Sequence, residues 1–173
     1  MRSAIFSLAA GLAVLAASPV SAASINVVRV MPSGETLVAV TVGRARVVAT
    51  LATHTVEIGR ASDPPPERPR TNCTYSRIPC VITDVLELRV DGAVVEVPRS
   101  VFGSLTDIGG AQLRPHGKGH YELVLRGGDA AAAYEARVLF DRRRVLERTI
   151  IDSEAGVAAE HTTYFDVSKA FID

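Results

Sequence analysis

From residue 25 onward, apolar and polar residues alternate in short runs broken by turn residues. A period of two over four to eight residues is the signature of a half-buried strand. Ile25 to Val30 is the first such run, followed by Thr36 to Val42 and Ala45 to Ala52. Gly43-Arg44 separates the last two and reads as a hairpin turn. Thr55 to Ile58 prolongs the second arm or forms a short strand of its own.

The clearest local signal runs from Val85 to Pro98 and centres on Asp91-Gly92, a preferred pair for a two-residue type I′ turn. With that turn, Val90 faces Ala93, Leu88 faces Val95 and Leu86 faces Val97. All six are apolar and share one face, whereas Glu87, Arg89, Val94 and Glu96 share the other. A slip of one residue destroys the sorting, so pattern and turn chemistry agree. Arg89, diagonal to Glu96, offsets the like-charge pair of Glu87 and Glu96.

Pro98 to Leu105 carries no alternation, and Arg99 to Phe102 fits one helical turn. Residues 111 to 114 are a short strand. Tyr121 to Arg126 alternates, and Gly127-Gly128-Asp129 is a turn. Ala130 to Ala133 favours helix with Asp129 as its N-cap. Strands follow at Tyr134 to Phe140, Arg144 to Ile151 and Thr162 to Val167. Eight or nine strands, with no sustained helical period, predict an all-β chain folded as one antiparallel β-sandwich or open barrel.

Two segments depart from this pattern. MRSAIFSLAAGLAVLAASPVSA, residues 1–22, has Arg2, then an uncharged apolar run from Ile5 to Ala17, then small residues around Ala22. This is the layout of a cleaved signal peptide, and the apolar run is too short for the roughly 20 residues that span a bilayer. The protein is therefore expected in the periplasm or secreted, as one domain over 23–173. The second segment, 59–80, holds Asp63-Pro64-Pro65-Pro66 and two cysteines, Cys73 and Cys80. Consecutive prolines cannot join a central strand. In an oxidising compartment the cysteines are expected to form a disulfide that pins this irregular loop.

Composition narrows the picture. Removing 22 residues from 173 leaves 151, enough for a real core. Lys+Arg and Asp+Glu are both 19, and losing Arg2 leaves 18 bases against 19 acids. A chain this close to neutral does not point to nucleic acid or an anionic membrane. Lys118 and Lys169 are the only lysines, and this arginine bias fits a GC-rich bacterial genome. No membrane span is expected in the mature chain.

Candidate chemistry is sparse. His116-Gly117-Lys118-Gly119-His120 places two imidazoles in a Gly-flanked loop, where they are candidate metal ligands lacking a third. A metal protein or hydrolase using His116 and His120 is the enzymatic alternative. No Gly-x-Ser-x-Gly elbow accompanies them. Asp107, Asp129 and Asp141 sit at turns, where Asp is chosen for backbone hydrogen bonding. Arg68, Arg70, Tyr75 and Arg77 on the Pro-rich loop, with Arg142 and Arg143 at a hairpin tip, are candidate partner contacts. The expectation is a non-catalytic binding, inhibitor or adaptor module without cofactor, whose partner is another envelope or secreted protein. A structural module pairing through an edge strand is the third reading.

Overall fold

The computed structural model describes residues 26–59, 63, 73 and 79–166. The signal-like segment 1–22, residues Arg68, Arg70, Tyr75 and Arg77, and all of 59–80 except Gly59, Asp63, Cys73, Pro79 and Cys80 lie outside the described residues.

Ten strands are described: β1 Val28–Arg29, β2 Gly34–Val42, β3 Ala45–Val56, β4 Cys80–Val90, β5 Ala93–Val95, β6 Ile108–Pro115, β7 Tyr121–Gly127, β8 Tyr134–Phe140, β9 Val145–Asp152 and β10 Ala158–Thr163. Single 3₁₀ turns occupy Arg99–Val101 and Ala130–Ala132. The strands form two antiparallel sheets, one of four in the order β2-β3-β4-β5 and one of six in the order β1-β6-β7-β8-β9-β10. Each sheet is a meander, with β1 added to the six-stranded sheet beside β6.

Turn chemistry sets the first sheet. Gly43 has φ 63° whereas Arg44 is not at positive φ, which matches the Gly-first type II′ hairpin. Val42 then faces Ala45, and the pairing runs back to Gly34 opposite Thr53. At the next hairpin Asp91 and Gly92 have φ 51° and 82°, as type I′ requires. Val90 faces Ala93 and Leu88 faces Val95, in the register read from the sequence.

The expected third pair, Leu86 with Val97, does not form. The Glu96 N–H donates to the Arg143 carbonyl at 2.8 Å, and Glu96 accepts from the Val145 N–H at 3.1 Å. The chain thus leaves β4 after Val95 and crosses to the six-stranded sheet. Pro98, lacking an N–H, could not have continued the ladder. The expected Arg89 offset to Glu96 is likewise replaced: Arg89 Nε pairs with Glu87 Oε1 at 2.6 Å.

Three boundaries also differ. The first run forms a strand only at Val28–Arg29, and the short strand at 111–114 extends to Ile108–Pro115. The last strand is Ala158–Thr163 rather than Thr162 to Val167, and ten strands rather than eight or nine are present among the described residues. The sequence Ala158-Ala159-Glu160-His161-Thr162-Thr163 has no apolar alternation because five of its six residues are exposed on a sheet edge.

One apolar core draws on both sheets. Val47, Leu51 and Leu88 come from the four-stranded sheet and Leu123, Val138 and Phe140 from the six-stranded one, all with 0% exposure. Each such side chain contributes about 1.5–3 kcal/mol relative to an exposed one. The crossover between β5 and β6 adds Val101, Phe102 and Leu105.

Asp107 ties that crossover down. Its N–H donates to the Val81 carbonyl at 2.8 Å. Its Oδ1 accepts the Val81 N–H at 2.8 Å, although Asp107 has 0% exposure. Val81 follows Cys80, which is disulfide-bonded to Cys73 with the Cα atoms 5.7 Å apart. The cysteine-bounded loop is therefore fastened to the core at one end by this reciprocal pair. Among the described residues, no helix is long and apolar enough to cross a membrane.

Candidate functional site

The β6–β7 hairpin carries the residues with most chemistry. Arg114 faces Glu122 and Pro115 faces Tyr121, and the His116 N–H donates to the His120 carbonyl at 3.0 Å. Side chains alternate faces along a strand. Arg114, His116, His120 and Glu122 therefore all belong to one face, the outer one, opposite buried Leu113 and Leu123. Gly117 and Gly119, at φ 71° and 77°, make the tight tip that brings the two histidine strand ends together.

Glu122 is the member that sequence reasoning missed. Its side chain is only 7% exposed, against 56% for His116. One carboxylate oxygen pairs with Arg114 Nε. The other lies 3.9 Å from His116 Nδ1. The signal was available: Glu122 lies two residues beyond His120, so a strand puts both on one face. As they stand, no three His, Cys, Asp or Glu side chains among the described residues are gathered closely enough to hold a metal.

Beside this cluster the same outer face carries a second ion-paired group. Glu135 on β8 accepts from Arg137 Nε at 2.8 Å and from Arg126 Nε at 3.0 Å. Burial pushes its carboxyl up, but hydrogen bonding and the charges of Arg137 and Arg126 outweigh that and hold it below its ordinary value. His161 Nδ1 lies 3.0 Å from Thr149 Oγ1 on β9.

The arginines of the hairpin between β8 and β9 do different things. Arg142 Nη2 lies 3.7 Å from Asp91 Oδ2. Asp141 Oδ1 accepts the Arg143 and Arg144 N–H groups, so the Asp makes the turn as expected. Arg144 Nη1 donates to the Tyr164 carbonyl at 3.2 Å. Asp91 lies beyond the last residue of β4, whereas Cys73 and Cys80 anchor the 59–80 loop at its first. Arg142 and the loop's anchor thus occupy opposite ends of one 11-residue strand.

Arg148 is a buried positioning group. Its side chain is 6% exposed. It donates to the Ser100 and Val101 carbonyls, to Ser104 Oγ and to Glu160 Oε2, fastening the 3₁₀ turn and the edge strand β10 to β9. Tyr134 donates to the Thr106 carbonyl at 2.7 Å. Burial, then the charge of Asp107, pushes its phenol well above the usual value, so it stays protonated and serves as a donor. Across β3 and β4, His54 Nδ1 lies 2.6 Å from Asp84 Oδ2, a pair sequence reasoning did not single out.

The outer face of the four-stranded sheet has a different character. Leu37, Val85 and Val94 are 59%, 49% and 57% exposed. Registers place them on one face: Leu37 faces Thr50, which faces Glu87, and Arg89 faces Val94, while Val85 precedes Glu87 by two residues on the same strand. Ala39 and Val48 complete the row that contains Arg89 and Val94. The Arg89–Glu87 pair is thus flanked by Val85, Val94 and Val48, with Leu37 one strand farther out beyond Thr50. Comparison with protein-family models, with curated proteins and with solved structures finds no match to this chain.

Proposed function

We propose that the chain is an exported β-sandwich protein of one domain that acts without catalysis, by binding another envelope or secreted protein. One observation carries the reading: three large apolar residues, Leu37, Val85 and Val94, stand about half exposed on the sheet face that carries the Arg89–Glu87 pair. Apolar side chains around an arginine match the composition of interface centres, and clustered exposed apolar area marks interaction surfaces. Export is supported by the signal-like segment 1–22 and by the Cys73–Cys80 disulfide. The loop bearing Arg68, Arg70, Tyr75 and Arg77 springs from this same sheet, between β3 and β4. It is the second contact assigned to the partner, because loops on rigid β scaffolds often carry recognition.

The test is capture from periplasmic and envelope extracts by residues 23–173, with crosslinking and mass spectrometry. Three proteins are compared: the wild type, a form lacking residues 62 to 71, and Leu37→Glu/Val94→Glu. The reading requires one saturable protein partner whose capture falls in the face variant or the deletion. Capture unchanged in both sinks it.

A second reading is favoured by β2. It is a nine-residue edge strand with Leu37 exposed. Long apolar edges accept added strands. Capture of extended peptides, abolished by Ala39→Pro, is its signature. A monomer that captures none contradicts it.

A further inference from the structure

We propose that the β6–β7 hairpin is a latent site for a divalent transition-metal ion, with His116 and His120 as the imidazole ligands and Glu122 as the carboxylate. The reading is independent of the partner-binding face, which lies on the other sheet.

Three observations converge on it. First, the backbone bond from His116 to His120 makes them a cross-strand pair at the hairpin end. Directly opposed residues on one face have Cβ atoms about 4.5–5.5 Å apart, so two imidazoles there can close on one ion at bonds of about 2.0–2.1 Å. Second, both histidines are exposed, so they can turn without repacking the core. Third, Glu122 is already held in place. Its backbone is in register with Arg114, its side chain is buried, and Oε1 is 3.9 Å from His116 Nδ1. A carboxylate with two imidazoles and an open position is a donor set used for zinc. Imidazole donors also suit copper and nickel.

Arg114 sets the threshold. It pairs with the other oxygen of Glu122. An ion competes with a guanidinium for one carboxylate, and the nearby Lys118 ammonium adds repulsion. The site therefore assembles when metal is supplied rather than standing preformed. This accounts for the absence of a ready-made ligand cluster among the described residues. It also predicts the sign of an unusual effect. Removing Arg114 strengthens metal binding, whereas removing any of the three ligands weakens it.

The experiment is calorimetric titration of untagged 23–173 with Zn²⁺ alone, repeated on variants. The expected result is one ion per chain with a micromolar dissociation constant. His116→Ala and His120→Ala each weaken it at least about tenfold, and Glu122→Gln weakens it by a similar factor. Arg114→Gln strengthens it several-fold. His54→Ala and His161→Ala leave it unchanged. Because Glu122 is buried, its variant is paired with circular dichroism, and Arg114→Gln tests the carboxylate independently if Glu122→Gln fails to fold. Absence of binding at millimolar zinc overturns the proposal. So does binding that survives His120→Ala unchanged, or that weakens on Arg114→Gln.

Discussion

Asp107→Ala is the most informative single perturbation of the fold. The Asp107 side chain is fully buried and its Oδ1 is the acceptor for the Val81 N–H at 2.8 Å. Val81 is itself only 9% exposed, so water cannot easily replace the lost acceptor. An orphaned buried donor costs about 1–3 kcal/mol. The backbone adds a second cost, because Asp107 has φ 53°. Alanine in that left-handed region costs about 1–2 kcal/mol, whereas Asp and Asn visit it through local hydrogen bonding. Together the loss is about 2–5 kcal/mol, a large share of the 5–15 kcal/mol typical of a domain. Two companions separate the parts. Asp107→Gly relieves the backbone but still orphans Val81, so it loses about 1–3 kcal/mol. Asp107→Asn keeps an oxygen acceptor and the left-handed conformation, and loses about 1 kcal/mol. Urea unfolding followed by circular dichroism gives all four stabilities from midpoints at a common slope. The order wild type, Asn, Gly, Ala is expected. An alanine variant within about 0.5 kcal/mol of wild type, the range of an ordinary surface change, would refute the latch.

Further expectations concern the disulfide, Arg148, Glu135 and the second hairpin. Reducing Cys73–Cys80, which closes a sequence separation of 7, lowers stability by about 2 kcal/mol and shifts the urea midpoint down by the same free energy. Arg148→Ala leaves the carbonyls of Ser100 and Val101 without their donor and costs about 1–3 kcal/mol in urea unfolding. Glu160→Gln, at the exposed end of that contact, costs under about 1 kcal/mol. Glu135 has its carboxyl held below the ordinary value of 4.5, so its contribution is fully present above that value. That contribution is lost as pH falls through the lower folded-state value. The melting temperature of Glu135→Gln therefore falls less than that of the wild type on going from pH 5 to pH 2. Asp91→Ala removes the acceptor for the Arg46 N–H and places alanine at φ 51°, costing about 1–3 kcal/mol by the same unfolding assay.

What was legible in the sequence is local. The Asp91-Gly92 hairpin and strand β8 were readable because turn chemistry and a period of two pointed the same way. Asp129 and Asp141 behave as turn aspartates: Asp129 Oδ1 caps the Ala130 N–H and Asp141 Oδ1 caps its own hairpin. Asp107 looks the same in sequence, yet its partner is 26 residues away. No local pattern records that distance. The same limit hid the crossover at Glu96, whose choice of Arg143 and Val145 over a longer β4 hairpin depends on the other sheet being present. Strand β10 was misplaced because an exposed edge strand needs no apolar face. Glu122 was missed as a site residue for a different reason. Spacing along the chain reveals only ligands close in sequence, whereas its relation to His116 comes from strand pairing. The exposed face of Leu37, Val85 and Val94 also emerges only when the four strands of the sheet are laid side by side, since each residue alone is an unremarkable strand position.

The central claim is that the outer face of the four-stranded sheet receives a protein partner. Site-specific photo-crosslinking tests it most directly. A photoreactive residue is placed at position 94 or 37, and for comparison at 161 on the outer face of the other sheet, in the full-length chain expressed in a bacterial envelope. The account predicts one discrete protein adduct from positions 94 and 37 and none from 161. No adduct at either position, or the same adduct from all three, would contradict it.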